Sequence, residues 1–365
     1  MNQNLKENLL EEKIMNTITI TNVKGFINVM ENFSKLIQKS SINFCNMVRI
    51  KSDGKMVDVS MDAIEYFAVK HFDVVSGDGE FDFAIMPNDI LKAVKYWKDE
   101  TLEISVDEEG KKVTFVCGSK KITVGCDVNS KDFIEFPDTR FDNAVEYTAE
   151  KLFNRLKTVE YAISTNESRP IFTGFHFNGN NIEAIDGYRF HRNIDNEVSF
   201  PEFTASKIIL KAEKLFEKNE RIGISANENH IMVMSVDMEF YCRRLVGEFH
   251  NIDKSIPLNA DYADWKITKN HIDTIKYVSA NINDKNKCPL VVDGEKAVIK
   301  LSNSTIEDAF DYPATERMGL NYRFLIEGFK AFIGKSVKVR ASRTSINIIM
   351  NDTDVIGIMP INIKA

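Results

Sequence analysis

A chain of 365 residues, 43% hydrophobic and 28% charged, has the composition of an ordinary globular protein, and no apolar run approaches the ~20 residues that a membrane span needs. Its length predicts two or three domains, each able to bury its own core. The net charge of −7 argues at first against a nucleic-acid partner.

The opening stretch, MNQNLKENLLEEKIMN, is polar and lacks the apolar core of a signal peptide. Residues 1–14 read as an N-terminal extension, and Met15 as an alternative start, because the strand-like run TITIT follows it. Phe26, Val29, Met30, Phe33, Leu36 and Ile37 then mark one face of a helix. Strand-like runs follow at 46–52, 56–62, 65–72 and 81–87, with SDGK and SGDG as turn signals.

At Asn88 a new kind of segment begins, a short amphipathic helix followed by two paired strands: NDILKAVKYWKDETLEISVDEEGKKVTFVC. It recurs from Lys211 as KAEKLFEKNERIGISANENHIMVMS and from Asn321 as NYRFLIEGFKAFIGKSVKVRASRTSINIIM. The copies lie about 110–125 residues apart, too long for a solenoid unit and right for a small domain.

Each copy is preceded by the same order of elements. In the middle third, Leu152, Phe153, Leu156, Val159 and Ile163 make the helix stripe, and 172–178 and 181–187 read as strands. In the last third, Ile272, Ile275, Val278 and Ile282 make the stripe, and 290–294 and 295–302 the strands. Boundaries fall near FPDTRFDNAV and SIPLNADY, where Pro, Asp and Asn break the periodicity. The expectation is an α+β protein of three similar domains, 15–138, 139–256 and 257–365, each with two helices packed on antiparallel sheets.

The five cysteines, Cys45, Cys117, Cys126, Cys242 and Cys288, are odd in number and widely spaced, as expected of reduced thiols in a cytoplasmic protein. His71, His230 and His271 lack metal-ligand spacing, and His191 reads as a packed or surface residue. There is no P-loop, GxGxxG, HExxH or GxSxG. No metal and no cofactor are expected, and no enzymatic activity. An enzyme would have to use Asp186, Tyr188, Arg189 and His191, without a second carboxylate at fixed spacing, a nucleophile motif or a phosphate loop.

Charge is unevenly spread. The helical windows 26–39, 88–98, 149–163, 211–218, 269–282 and 322–335 together carry +8, so the rest of the chain carries −15. Lysine is a good helix former, and one such helix means only a solvated face. Six helices biased alike, in three repeats, instead fit presentation to a polyanion. There is no recognition-helix motif, and only Tyr96–Trp97 interleave with the lysines, so contact should run through phosphates, without sequence preference.

The stretches FNRLKTVEYAISTNESRPIFTGFHF, IEAIDGYRFHR, RRLVGEFHNIDKSIP and DVIGIMPINIKA resemble, in that order, signature stretches of the bacterial DNA polymerase III beta subunit, the sliding clamp. The resemblance covers about residues 15–365. It implies the DNA clamp fold, a head-to-tail homodimer closing into a ring of six domains, and helices lining the hole. It also implies a processivity factor that encircles double-stranded DNA without sequence preference and tethers the replicative DNA polymerase, the clamp loader and other peptide-motif partners. A clamp relative that binds partners without encircling DNA is the alternative.

The implied partner-peptide pocket comprises Phe172, Ile185, Gly187, Tyr188, Arg189, Phe190, His250, Lys254, Ser255, Ser345, Ile358, Met359, Pro360 and Ile361. Arg189 is expected to serve the pocket rather than the core. Lys39, Asn166 and Arg169 match positions that approach DNA, and Ile282 a position in the dimer interface. The family often has His in place of Tyr188, Pro in place of His250 and Arg in place of Lys254, and Lys364 and Ala365 run past its usual end.

Overall fold

The computed structural model describes residues 16–37, 39–107, 109–126, 133, 144–257, 260–282 and 289–363. The N-terminal extension, Met15, Cys288, most of the first boundary segment and the pair Lys364–Ala365 lie outside the described residues.

Three consecutive stretches carry one element order, strand–helix–four strands–helix–three strands. In the first, strand Asn16–Ile20 leads into helix α1 (Val23–Leu36), followed by strands Val48–Asp53, Met56–Asp62, Tyr66–Gly77 and Glu80–Ile85. Helix α2 (Asn88–Val94) and strands Leu102–Val106, Lys112–Cys117 and Lys120–Gly125 complete it. The second runs from strand Val145–Thr148 and helix α3 (Ala149–Val159) to strand Met238–Leu245, with the tighter 3-10 segment Lys207–Leu215 in the second helix position. The third runs from strand Ala263–Lys266 through α4 (Lys269–Ser279) and α5 (Tyr322–Phe329) to strand Asp354–Ile358.

Strand pairing repeats as well. With the eight strands of a stretch counted in order, the first pairs with the sixth, the second with the third and fifth, the third with the fourth, the sixth with the seventh and the seventh with the eighth. The same six antiparallel pairings recur in the second stretch and in the third. The repeated segment is therefore a helix with three strands, not two. The third strand is short of signal in the sequence. In the first copy it reads KKITVG, whose side chains are all at least partly exposed, so no apolar run announces it.

The helices form where the stripes were read, and each stripe is buried apart from Ile37 and Ile282 at the ends of two of them. In α1 the buried residues are Val23, Phe26, Val29, Met30, Phe33 and Leu36. Asn22 caps it by accepting from the Gly25 amide at 2.9 Å. A Cβ on Gly25 would lie 2.5 Å from the Asn22 amide nitrogen, so glycine is what lets the cap close. In the third stretch Ile272, Ile275 and Val278 of α4, Leu325 and Phe329 of α5 and strand residues such as Val292, Ile299, Val337 and Ile356 share one core. Ile282 lies beyond the end of α4, half-buried against this core, with its N–H donating to the Ser279 carbonyl at 3.0 Å.

By compactness the chain divides into two units, residues 1–150 with 208–243, and 151–207 with 244–365. Each contains a seam where the fourth strand of one stretch pairs with the eighth strand of the next. In the first unit the seam runs from Tyr66 opposite Cys242 to Lys70 opposite Met238. In the second it runs from Arg189 opposite Ile358 to Asn193 opposite Asp354. Two strands of these kinds remain, Thr305–Ala309 (fourth of the third stretch) and Lys120–Gly125 (eighth of the first). Among the described residues each pairs with one neighbour only.

Cys45, Cys117 and Cys242 are buried thiols, and the Cys126 thiol donates to the Gly110 carbonyl at 3.1 Å. Among the described residues no helix is long and apolar enough to cross a membrane, and no three His, Cys, Asp or Glu side chains are grouped to hold a metal ion.

Candidate partner-peptide site

The candidate site lies within the second unit, at its seam. Strand Asn181–Ile185 ends in the turn Asp186–Gly187–Tyr188 and returns as Arg189–Ile194. Asp186 closes the turn: its Oδ1 accepts from the amides of Tyr188 (2.9 Å) and Arg189 (3.0 Å), and its own N–H donates to the Arg189 carbonyl at 3.1 Å. Gly187 has φ +93°, a conformation a side chain would strain, so the glycine answers a backbone requirement.

The ladder to strand Asp354–Ile358 continues one step beyond it, because the Met359 N–H donates to the Tyr188 carbonyl at 2.8 Å. Ile361 in turn donates to the Gly319 carbonyl at 2.8 Å. These bonds hold the Tyr188 turn beside the Met359–Pro360–Ile361 tail. Tyr188 is 68% exposed, Met359 42% and Ile361 37%.

Beneath this rim is an apolar floor of Ile185, Phe190, Phe249, Ile252, Ile348 and Val355, with Ile171, Phe172, Ile256, Tyr262, Ile346 and Met350 packed on it. Phe172 meets Phe249 edge-on with centroids 5.7 Å apart, and Phe249 lies flat on His176 at 4.0 Å. Burial first, and the neighbouring Arg192 charge second, push His176 down to about 4, so it is a neutral platform at physiological pH. Arg192 also joins the buried Glu183 to Asp253 (2.6 Å to the latter), which pins the helical turn Ile252–Ser255 to the sheet. In that turn Lys254 is exposed, while His250 Nε2 and Ser255 Oγ bond each other at 2.8 Å.

Most of the expected pocket residues are brought together here, in different roles. Phe172, Ile185 and Phe190 form floor; Gly187, Tyr188, Met359, Pro360 and Ile361 form turn and rim; His250, Lys254 and Ser255 lie on the linker beside the floor. Ile358 is 1% exposed and belongs to the core of the third stretch, not to the floor. Ser345 sits in a turn, accepting from Arg340 at 3.0 Å and bonded to the Ser342 hydroxyl at 2.9 Å.

Arg189 departs most from expectation. Its side chain is 10% exposed and turned inward, donating to Asp186 Oδ2 at 2.9 Å, to Glu327 and to the Tyr161 carbonyl, with the Phe324 ring 4.0 Å from the guanidinium. A guanidinium needs several acceptors to leave water, and this one finds them inside the protein rather than at the rim.

Phe249, Ile252, Ile256, Ile346 and Ile348 were not expected in the floor. The first three are the apolar letters of the HNIDKSIP stretch and its preceding Phe, so spacing within that stretch was the available signal. The group Asp186, Tyr188, Arg189 and His191 does not form a catalytic cluster. His191 is fully buried on Asp354 at 3.1 Å, Tyr188 faces solvent, and Asp186 is committed to the turn. Burial opposes ionisation of Asp354, but hydrogen bonds from His191 and Asn193 outweigh it and hold the carboxyl at about 2.

Asn166 and Arg169 are exposed in the loop before Phe172, where the Asn166 Oδ1 accepts from the Ser168 amide at 3.0 Å. Lys39, in the other unit, is also exposed. Helix lysines Lys24, Lys35, Lys92, Lys95, Lys157, Lys269 and Lys276 are exposed as well, while Arg155 is buried on Asn193 and the Asn180 carbonyl.

No protein-family model matches the chain. It is 22% identical over 262 residues to the beta sliding clamp of Lactococcus lactis, covering 66% of this chain and 68% of that protein. It is 21% identical over 304 residues to that of Synechococcus elongatus, covering 76% and 80%. Among solved structures, the DNA polymerase sliding clamp of Bacillus subtilis superposes with a TM-score of 0.78 at 16% identity, over 96% of this chain and all of that one. A sliding clamp of Bartonella birtlesii bound to griselimycin superposes with a TM-score of 0.77 at 19% identity, over 95% and 100%. By sequence the chain is similar to bacterial beta sliding clamps, the DNA polymerase III beta subunit, and by structure it has the DNA clamp fold.

Proposed function

We propose that the protein is a DNA polymerase processivity factor: a homodimeric ring that encircles duplex DNA and tethers polymerase, clamp loader and other partners through the Tyr188–Met359 site. The three repeats act as three domains, 15–138, 139–256 and 257–365. The observation that carries this reading is the pattern of seams. Each repeat's fourth strand takes the next repeat's eighth strand as neighbour, twice within one chain. The rule leaves one fourth strand and one eighth strand for a second copy, and a heterologous contact of this kind closes into a ring.

The two open edges are complementary. Lys120–Gly125 carries exposed Lys120 and Lys121; Thr305–Ala309 carries exposed Glu307 and Asp308. Ile282 stands on the same last repeat and is proposed to contribute to that interface. The cationic helix faces, with Lys39, Asn166 and Arg169, supply phosphate contacts that are weak, salt-sensitive and blind to sequence. The peptide site offers what a short apolar segment needs: an aromatic floor, a Met rim and few polar groups.

The test is calorimetric titration of a short glutamine-led peptide ending in leucine and phenylalanine, beside light scattering for mass. A dimer that binds the peptide supports the proposal. A monomer at micromolar concentration that still binds it favours the partner scaffold that does not encircle DNA. Absence of heat at high micromolar peptide removes the site assignment.

A further inference from the structure

Arg189 connects two surfaces. On one side it holds the site turn, through the Asp186 carboxylate that also accepts from the Tyr188 and Arg189 amides. On the other it reaches Glu327 of α5, whose side chain is 37% exposed. Glu327 lines a separate solvent-open cavity of about 330 Å³ with Lys157, Thr158, Tyr161, Lys330 and Ala331. A third donor goes to the Tyr161 carbonyl, and the Phe324 ring packs against the guanidinium.

We infer that Glu327 is a positioning residue for the partner-peptide site: through Arg189 it sets the Asp186–Gly187–Tyr188 turn, and so couples the site to the cavity on the helix side. This rests on the peptide-site reading above. Apart from the flanking ladders and the Met359 bond to the Tyr188 carbonyl, the turn has little else to hold it. Gly187 has no atoms near its Cβ position, Tyr188 is mostly solvated, and the turn's internal bonds all converge on Asp186. Asp186 is kept in place by Arg189 Nε, and Arg189 is kept in its fork by three acceptors. Removing Glu327 takes away one acceptor and the outer countercharge. The guanidinium then regains freedom, and Asp186 loses a fixed partner. The Met359 amide, bonded to the Tyr188 carbonyl, moves with the turn.

The measurement pairs amide hydrogen exchange at Tyr188, Arg189 and Met359 with calorimetric peptide titration, on the full chain. Three variants are compared: Glu327→Ala, Glu327→Gln, which keeps an acceptor oxygen for Arg189, and Lys330→Ala as a control in the same cavity. Glu327→Ala should raise exchange at those three amides selectively, leaving the core amides of Ile349 and Ile356 protected. It should weaken peptide binding roughly three- to thirtyfold, the usual range for a coupling residue. Glu327→Gln should restore most of both, and Lys330→Ala should change neither. Exchange that rises everywhere at once would make Glu327 a stability residue and overturn the inference, as would three unchanged amides. If the wild-type chain binds no peptide, the site reading falls, while the exchange arm still decides whether Glu327 sets the turn.

Discussion

Gly357 is the point at which the second seam tolerates least change. It lies opposite Phe190 in the ladder, and a Cβ there would fall 2.2 Å from Phe190 Cε1 and 2.7 Å from Ile346 Cδ1. Ordinary carbon contacts lie near ~3.5–4.0 Å, so in Gly357→Ala the ring must retreat by more than ~1 Å. Phe190 is 1% exposed and packed in the floor, so it has no open space to enter. Overpacking of this kind costs about 1–3 kcal/mol. The better strand propensity of Ala returns about 0.5–1 kcal/mol. The net, on the order of 1–2 kcal/mol, should lower the thermal midpoint of the unit by about 3–6 °C. Because the displaced ring is the floor of the site, peptide affinity should fall about tenfold or more in the same variant. Differential scanning fluorimetry and peptide titration read both. A midpoint and an affinity equal to wild type would mean that Phe190 and Gly357 do not meet as described.

Other expectations follow from the same contacts. Met359→Ala and Phe172→Ala should each cost about 1–3 kcal/mol of peptide affinity by titration, because rim and floor anchors dominate a small site. Arg189→Ala should lower both affinity and thermal stability, since its guanidinium is an internal tie. His71 hydrogen-bonds Asp58 at 2.7 Å and lies 3.8 Å from Glu239 across the first seam, which raises it to about 9. Its folded value exceeds the unfolded ~6.5, so its stabilisation is complete below that pH and is lost as pH rises through about 9. Resistance to denaturant should therefore fall between pH 7 and 10, and His71→Gln should flatten that slope. At the proposed dimer edges, Lys121→Glu should weaken self-association seen by sedimentation, and adding Glu307→Lys should restore it.

The periodic parts of the fold were legible in the sequence. The stripe of the first helix in each third was visible because apolar residues recur at 3.6-residue spacing, and α1 buries the stripe that was read apart from its last residue, half-buried Ile37. The third strand of each repeated segment was not legible, for a reason that differs in each. Lys120–Gly125 is a charged edge, Met238–Leu245 is split between apolar and arginine residues, and Asp354–Ile358 follows a turn without glycine. At the site, the turn and the Met–Pro dipeptide could be found through their resemblance to the family's signature stretches, and Gly187 also answers a local backbone need. The direction of the Arg189 side chain could not, because it depends on Glu327, 138 residues away in sequence. The seam partners were equally hidden: strand register across distant segments leaves no local pattern.

The central claim, a ring that stays on DNA by topology, is tested most directly by retention. Protein loaded onto nicked circular duplex with a clamp loader is passed over a sizing column in high salt, then again after the circle is cut once. On the proposed reading, direct phosphate contacts are weak and salt-screened, so the protein should stay with the circle and leave the linear molecule. Equal retention on both, or loss from both, would contradict encirclement.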